Sequence, residues 1–177
     1  MDETEFDKIC KINLYGAFYV NKTFMPLLKK GSKIIITTSE LAPLDPLPFT
    51  GIYAVTKSAL DKYAYSLRME LQLLDISVSV IRAGAVDTGM LNVSTDALNN
   101  FCENTTLYKF SSNKFKQIVY GVEAKRVPTI KIAQKVIKIL KTKKPKFIYT
   151  VNRNKLLLLL NALPKRLQFY VIKKILK

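Results

Sequence analysis

Apolar residues recur at three- and four-residue steps through Phe6, Ile9, Cys10, Ala17, Val20, Phe24 and Leu27, with Asn13 in the same stripe. That spacing predicts a helix over residues 4–30 with the stripe turned inward and Thr4 at its N-cap. Gly31 and Ser32 break the pattern, and Lys33–Ser39 is a short β-branched run suited to a strand buried on both faces. Pro43, Pro46 and Pro48 make the next stretch a loop. A second helix is predicted over 52–74, with Ala54, Ala59, Leu60, Tyr63, Leu67, Leu71 and Leu74 inward. Asp61, Lys62, Arg68 and Glu70 fall mostly off that stripe. Ile76–Ile81 reads as a second buried strand. Residues 82–127 show little sustained periodicity and read as a long loop with short helices, of a size that usually carries function. Pro128 opens a helix to Lys144 with Ile132, Val136, Ile137, Ile139 and Leu140 inward. Lys146–Val151 is a third strand, and Arg153–Lys177 is apolar, basic helix.

Helices and strands therefore alternate, which predicts an α/β fold with a parallel sheet and right-handed crossovers. Three strands are few for such a sheet, and a helix comes first with no strand before it. There is no internal repeat and no linker. The expected organisation is one part over 1–152 and a basic helical tail over 153–177.

Composition narrows the chemistry. The chain has 177 residues, 49% hydrophobic and 24% charged, and no His. Without imidazole there is no Ser/His/Asp triad and no HExxH zinc site, so catalysis must use Tyr, Lys, Ser, Asn or carboxylates. Cys10 and Cys102 stand far apart without CxxC spacing, which predicts neither a disulfide framework nor a metal site. Asp87 and Glu123 read as solvated loop carboxylates. No apolar run reaches the roughly 18 residues of a membrane span, and the start Met1-Asp-Glu-Thr-Glu is acidic. The expectation is a cytoplasmic protein. The net charge of +16 sits wholly in residues 125–177, which hold 16 Lys and Arg and no acid. No aromatic-interleaved RNA motif or zinc finger accompanies it, so nucleic acid is not an expected partner.

The sharpest chemical signal is Tyr53-Ala-Val-Thr-Lys57 at the start of the second helix, an i,i+4 pair that puts phenol and ammonium on one face. A Tyr working near neutrality needs its pKa lowered by roughly three units, about 4 kcal/mol. An exposed i,i+4 pair supplies only about 0.2–0.5 kcal/mol. The pair therefore requires Lys57 in a partly desolvated cleft, ideally beside a second positive charge such as an oxidised nicotinamide ring. Ser39 ends a strand 14 residues earlier, and ligands of open parallel sheets sit beyond the carboxyl ends of strands. Ser39, Tyr53 and the segment after Ile81 are thus expected at one crevice.

With these residues in place, the chain resembles the short-chain dehydrogenase/reductase family from the first helix to the third strand. Asn13 in Ile12-Asn-Leu-Tyr-Gly16 resembles that family's active-site Asn, Ser39 its Ser, and Tyr53 with Lys57 its YxxxK pair. The resemblance implies that Tyr53 transfers the proton, Lys57 lowers its pKa and holds the nicotinamide ribose, Ser39 bonds the substrate oxygen, and Asn13 anchors a relay water. Arg82-Ala-Gly-Ala-Val-Asp-Thr88 is similar to the family's Pro-Gly-x-Val-x-Thr turn, with Ala83 in place of Pro, and implies cofactor contacts at Gly84, Val86 and Thr88. The implied fold is a partial Rossmann-like doubly wound sheet of three strands with C-terminal helices, and the implied cofactor is NAD or NADP, with no metal. The family's opening Gly-rich turn, which holds pyrophosphate at a helix N-terminus, has no match among the glycines at 16, 31, 51, 84, 89 and 121. About 80–90 residues of βαβ structure are expected upstream, or else the chain is a relic.

The resemblance implies an oxidoreductase interconverting an alcohol and a ketone or aldehyde. Five consecutive Leu at 156–160, with six basic residues from Lys155 to Lys177, suit a lid on an apolar cleft, a subunit contact or a peripheral membrane contact. The lid or packed tail and the peripheral anchor both suggest a lipophilic substrate such as a sterol, a retinoid or a fatty carbonyl compound. The expected partners are a small-molecule alcohol or carbonyl substrate, a second copy of the chain, and a membrane surface met by 153–177. The alternative is a non-catalytic remnant or membrane-surface binding protein.

Overall fold

A computed structural model describes residues 3–177. Met1 and Asp2, the first two residues of the acidic opening, lie outside the described residues. The chain divides into two compact units, residues 1–83 with 130–153, and residues 84–129 with 154–177. The segment 84–129 groups with residues 154–177.

The first unit begins with helix α1 (Glu3–Cys10), a π-helical turn (Lys11–Tyr15) and helix α2 (Gly16–Phe24), followed by one 3₁₀ turn. Strand β1 (Lys33–Ser39), helix α3 (Gly51–Leu71), strand β2 (Ser77–Ala83), helix α6 (Ile130–Lys141) and strand β3 (Ile148–Val151) complete it. The expected alternation holds, and the sheet is wholly parallel in the order β1-β2-β3. Lys33 pairs with Ser77 and Ser39 with Ala83, so the carboxyl ends of β1 and β2 finish side by side.

Strand β2 is central, and Val78, Val80 and Ile81 are completely buried. Leu60, Ala64, Leu67 and Leu71 of α3 close over Val78, Val80 and Ile36, which fixes the helix on the sheet. Burial of each such side chain stabilises the fold by about 1.5–3 kcal/mol. Polar groups at the sheet are also matched: Arg68 donates to the carbonyl of Val78 at 2.8 Å, and Ser79 donates to that of Lys146 at 2.8 Å.

Several expected faces differ. Phe6, Val20, Phe24 and Leu27 of the first stripe are exposed, whereas Ala17 of that stripe packs against the core together with Leu14 and Met25, which lie off it. The π turn adds a residue to one helical turn and rotates everything before it, so a single 3.6-residue stripe cannot describe both halves. Leu74 is exposed, whereas Asp61, read as off the stripe, is buried.

In the second unit, the region read as a long loop is mostly two helices, α4 (Gly89–Asn104) and α5 (Lys109–Glu123). Their Asn-, Ser- and Lys-rich sequence has weak helical signal. Tertiary packing decides the outcome: Cys102, Ser112 and Phe115 are buried, as are Gln168 and Leu176 of the last helix. The tail is two helices, α7 (Lys155–Ala162) and α8 (Lys165–Leu176), broken where Pro164 cannot continue the ladder. Asn154 caps α7 by accepting a hydrogen bond from the Leu156 amide. No helix among the described residues is long and apolar enough to cross a membrane.

Candidate active site

Ser39 is the last residue of β1, and its side chain is 4% exposed. The proline loop returns the chain to Thr50 and the start of α3, so Tyr53 stands on the first turn of that helix. The Ser39 hydroxyl and the Tyr53 phenol share a hydrogen bond. One turn further along α3, the Lys57 ammonium lies 5.8 Å from the centroid of the Tyr53 ring. Lys57 is buried, and burial alone lowers its pKa below the ordinary lysine value.

The phenol behaves differently from the sequence expectation. Tyr53 is 38% exposed as a residue, yet burial around its hydroxyl raises the pKa above the ordinary tyrosine value. The bond to Ser39 works in the opposite direction, and the negative charge of Glu40 reinforces the rise. Lys57 therefore does not by itself bring Tyr53 toward neutrality; the further positive charge that the sequence reading called for is still needed.

Asn13 sits in the π turn, where the Gly16 amide reaches back to the Lys11 carbonyl. Its side-chain amide donates to the Thr56 hydroxyl at 3.1 Å, and Thr56 in turn donates to the Tyr53 carbonyl at 3.0 Å. Asn13 is thereby tied to the first turn of α3, the turn that carries Tyr53. Four residues from three separate segments, Asn13, Ser39, Tyr53 and Lys57, are thus joined through α3.

Gly84, Val86 and Thr88 belong to the second unit. There the backbone after β2 bends at Ala85 and Asp87 and is pinned by a parallel bridge between Val86 and Val127. The Asp87 amide donates to the Val127 carbonyl at 2.9 Å, and the Val127 amide to the Ala85 carbonyl at 3.2 Å. Thr88 has extended backbone and immediately precedes α4. The Ala83 substitution leaves this segment its own backbone ladder, so its order does not depend on a proline.

Sequence reasoning missed three residues beside the site. Thr56 reads as an ordinary helix position, and only the bond from Asn13 distinguishes it. Glu40 is buried just after Ser39, a placement that a proline-rich loop gave no reason to expect. Asp61 accepts from Arg82 twice, at 3.0 Å from Nε and 2.6 Å from Nη2, and from the Thr38 hydroxyl at 3.2 Å. No sequence signal marked Asp61, because its burial depends on partners more than 20 residues away.

Comparison with known proteins gives the same grouping. The family profile described as short chain dehydrogenase matches residues 1–99. A probable short-chain type dehydrogenase/reductase of Helicobacter pylori is 28% identical over 163 residues, covering 90% of this chain and 59% of that protein. Estradiol 17-beta-dehydrogenase 2 of Rattus norvegicus is 31% identical over 135 residues, covering 76% of this chain and 34% of its own length. The chain thus spans well under two thirds of these relatives. Among solved structures, a short-chain dehydrogenase from Streptomyces avermitilis superposes with a TM-score of 0.67 at 17% identity, over 85% of this chain and 53% of the other. A Burkholderia cenocepacia short chain dehydrogenase in complex with NADP gives 0.63 at 18% identity, over 85% and 56%. The family profile covers more than half of the residues, and the chain belongs to the short-chain dehydrogenase family.

Proposed function

We propose that the protein is an NAD(P)-dependent oxidoreductase that interconverts an alcohol and a ketone or aldehyde. The observation that carries this is the Ser39–Tyr53 hydrogen bond with the Lys57 ammonium beside the same ring. The bound nicotinamide supplies the hydride. Tyr53 gives its hydroxyl proton to the carbonyl oxygen during reduction and takes it back during oxidation. Ser39 donates to the same oxygen and orients the carbonyl. Lys57 holds the ribose hydroxyls and stabilises the phenolate left on Tyr53. Asn13 fixes the first turn of α3 through Thr56 and holds a water for the proton relay.

The fit to the cofactor is partial. The phenol and the buried ammonium suit the nicotinamide ribose. No glycine spacing in the chain suits the pyrophosphate. NAD and NADP are both compatible with the residues present.

The substrate is an apolar carbonyl compound, of the sterol, retinoid or fatty class. The support is the apolar helical segment around α4, α5, α7 and α8, which offers Met90, Val93, Leu156 and Leu159 at its surface. The test is NADH and NADPH oxidation by the protein from its native cell with ketones and aldehydes of increasing chain length. Rates that rise with chain length support the reading, and no oxidation with any carbonyl removes it.

One observation favours a second role for the tail. The outward face of α8 carries Arg166, Phe169, Tyr170 and Lys173, all exposed, in a segment without acids. Aromatic and cationic side chains in alternation suit a lipid interface with anionic headgroups. Pelleting with phosphatidylserine vesicles that weakens as salt rises is the expected behaviour, and binding unchanged by Phe169→Asp removes α8 from it.

A further inference from the structure

Lys57 and Asp61 are four residues apart on α3, both buried, with about 6 Å of helical rise between them. An acid and a base at that spacing pair readily; Asp7 and Lys11 do so on the exposed surface of this same chain at 2.6 Å. Yet among the described residues Lys57 makes no ion pair, and burial alone perturbs it. The reason lies on the sheet. Arg82 of β2 grips both carboxylate oxygens of Asp61 in a fork, while Thr38, the strand partner of Arg82, adds a third bond. Planar bidentate geometry of this kind is what a guanidinium offers and an ammonium does not.

We propose that Arg82 is a positioning residue that withholds Asp61 from Lys57 and so leaves the ammonium free to serve Tyr53. The proposal rests on the oxidoreductase reading for its catalytic meaning, and on geometry alone for its effect on Lys57. Other charged groups on the elements packed against α3 do not take over this role. Glu3, Glu5, Asp7, Lys8 and Lys11 are exposed, and Lys33 begins β1 at the end opposite Ser39. Glu40 is buried beside Ser39 and acts on Tyr53. Arg68 is engaged with the Val78 carbonyl. Removing the guanidinium leaves a buried carboxylate with the buried Lys57 one turn back on the same helical face, whereas the adjacent Lys62 is exposed.

The test follows the Lys57 titration by NMR in protein labelled with [13Cε]lysine, the resonance assigned by its loss in Lys57→Met. In Arg82→Gln the Lys57 midpoint moves upward, and kcat for carbonyl reduction falls about tenfold or more while KM stays within about threefold. In Arg82→Gln with Asp61→Asn, both readouts return to near the wild-type values, since no unpaired carboxylate remains. Arg82→Lys keeps the charge but not the fork, and its midpoint lies between those of wild type and Arg82→Gln. An unchanged midpoint in Arg82→Gln, or a double variant as impaired as the single one, would show that the pair is only structural and overturn the proposal. Should Arg82→Gln not fold, Asp61→Asn alone decides: its Lys57 midpoint matches wild type if Asp61 is already withheld, and a clear drop contradicts the proposal. If the wild-type protein oxidises no NAD(P)H, the oxidoreductase reading fails while the midpoints still judge the role of Arg82.

Discussion

Lys57→Met separates function from stability most sharply. The side chain is 8% exposed, its ammonium has one aromatic ring near it at 5.8 Å, and it makes no ion pair among the described residues. A cation–π contact of this kind contributes about 0.5–2 kcal/mol. Taking an ammonium out of water costs several kcal/mol even after relaxation. Met fills almost the same volume without that penalty, so the balance favours the variant, by about 1–2 kcal/mol at pH 7. For a chain of this size that is roughly 2–8 °C in Tm. The pH dependence supplies the sign. Burial sets the folded pKa of Lys57 below its ordinary value of 10.5, so the folded state binds this proton less readily than the unfolded state. The penalty is full below the folded pKa and disappears as pH passes 10.5. Urea melts of wild type and Lys57→Met should therefore differ at pH 7 and converge near pH 11, while the variant loses carbonyl reduction. A variant less stable than wild type by more than about 1 kcal/mol at pH 7 would refute the picture of an uncompensated buried ammonium.

Other outcomes follow from the same geometry. Leu60→Ala or Leu67→Ala empties a buried site between α3 and the sheet and should lower stability by about 2–5 kcal/mol in urea melts. Asn13→Ala removes the bond to Thr56, for a loss of about 1 kcal/mol in stability and a fall in kcat larger than that of Thr56→Val. Tyr53 titrates above its ordinary value, first through burial, so its neutral form stabilises the fold below pH 10 and that contribution is lost as pH rises through the folded pKa. Tyr53→Phe should reduce the alkaline loss of stability above pH 10, seen in melts at pH 9 and 11.

The legible parts of the fold were those where one physical rule dominates. Lys33–Ser39 is a β-branched run between a glycine break and three prolines, and its bounds agree with the structure residue for residue. The Ser39, Tyr53 and Lys57 arrangement was legible because a strand end, a short loop and a helical i,i+4 spacing leave little freedom. The first helix was legible as helix but not in its facing, since nothing in Lys11–Tyr15 announces the extra residue of a π turn. Residues 89–123 were hidden because their helices are held by packing of Cys102, Ser112 and Phe115 rather than by intrinsic propensity. Asp61 was read as off the apolar stripe because its partners, Thr38 and Arg82, are more than 20 residues away in sequence. Burial of a charge is a property of the tertiary pair, and periodicity sees one member at a time.

The central claim is that Tyr53 passes the proton to the carbonyl oxygen. The most direct measurement is the steady-state rate of carbonyl reduction with NAD(P)H by the protein from its native cell, compared with its Tyr53→Phe variant at equal folded concentration. Loss of one hydroxyl from a proton donor should lower kcat by about 100-fold or more with the melting profile at pH 7 nearly unchanged. A Tyr53→Phe protein that keeps its rate within about threefold would contradict the account.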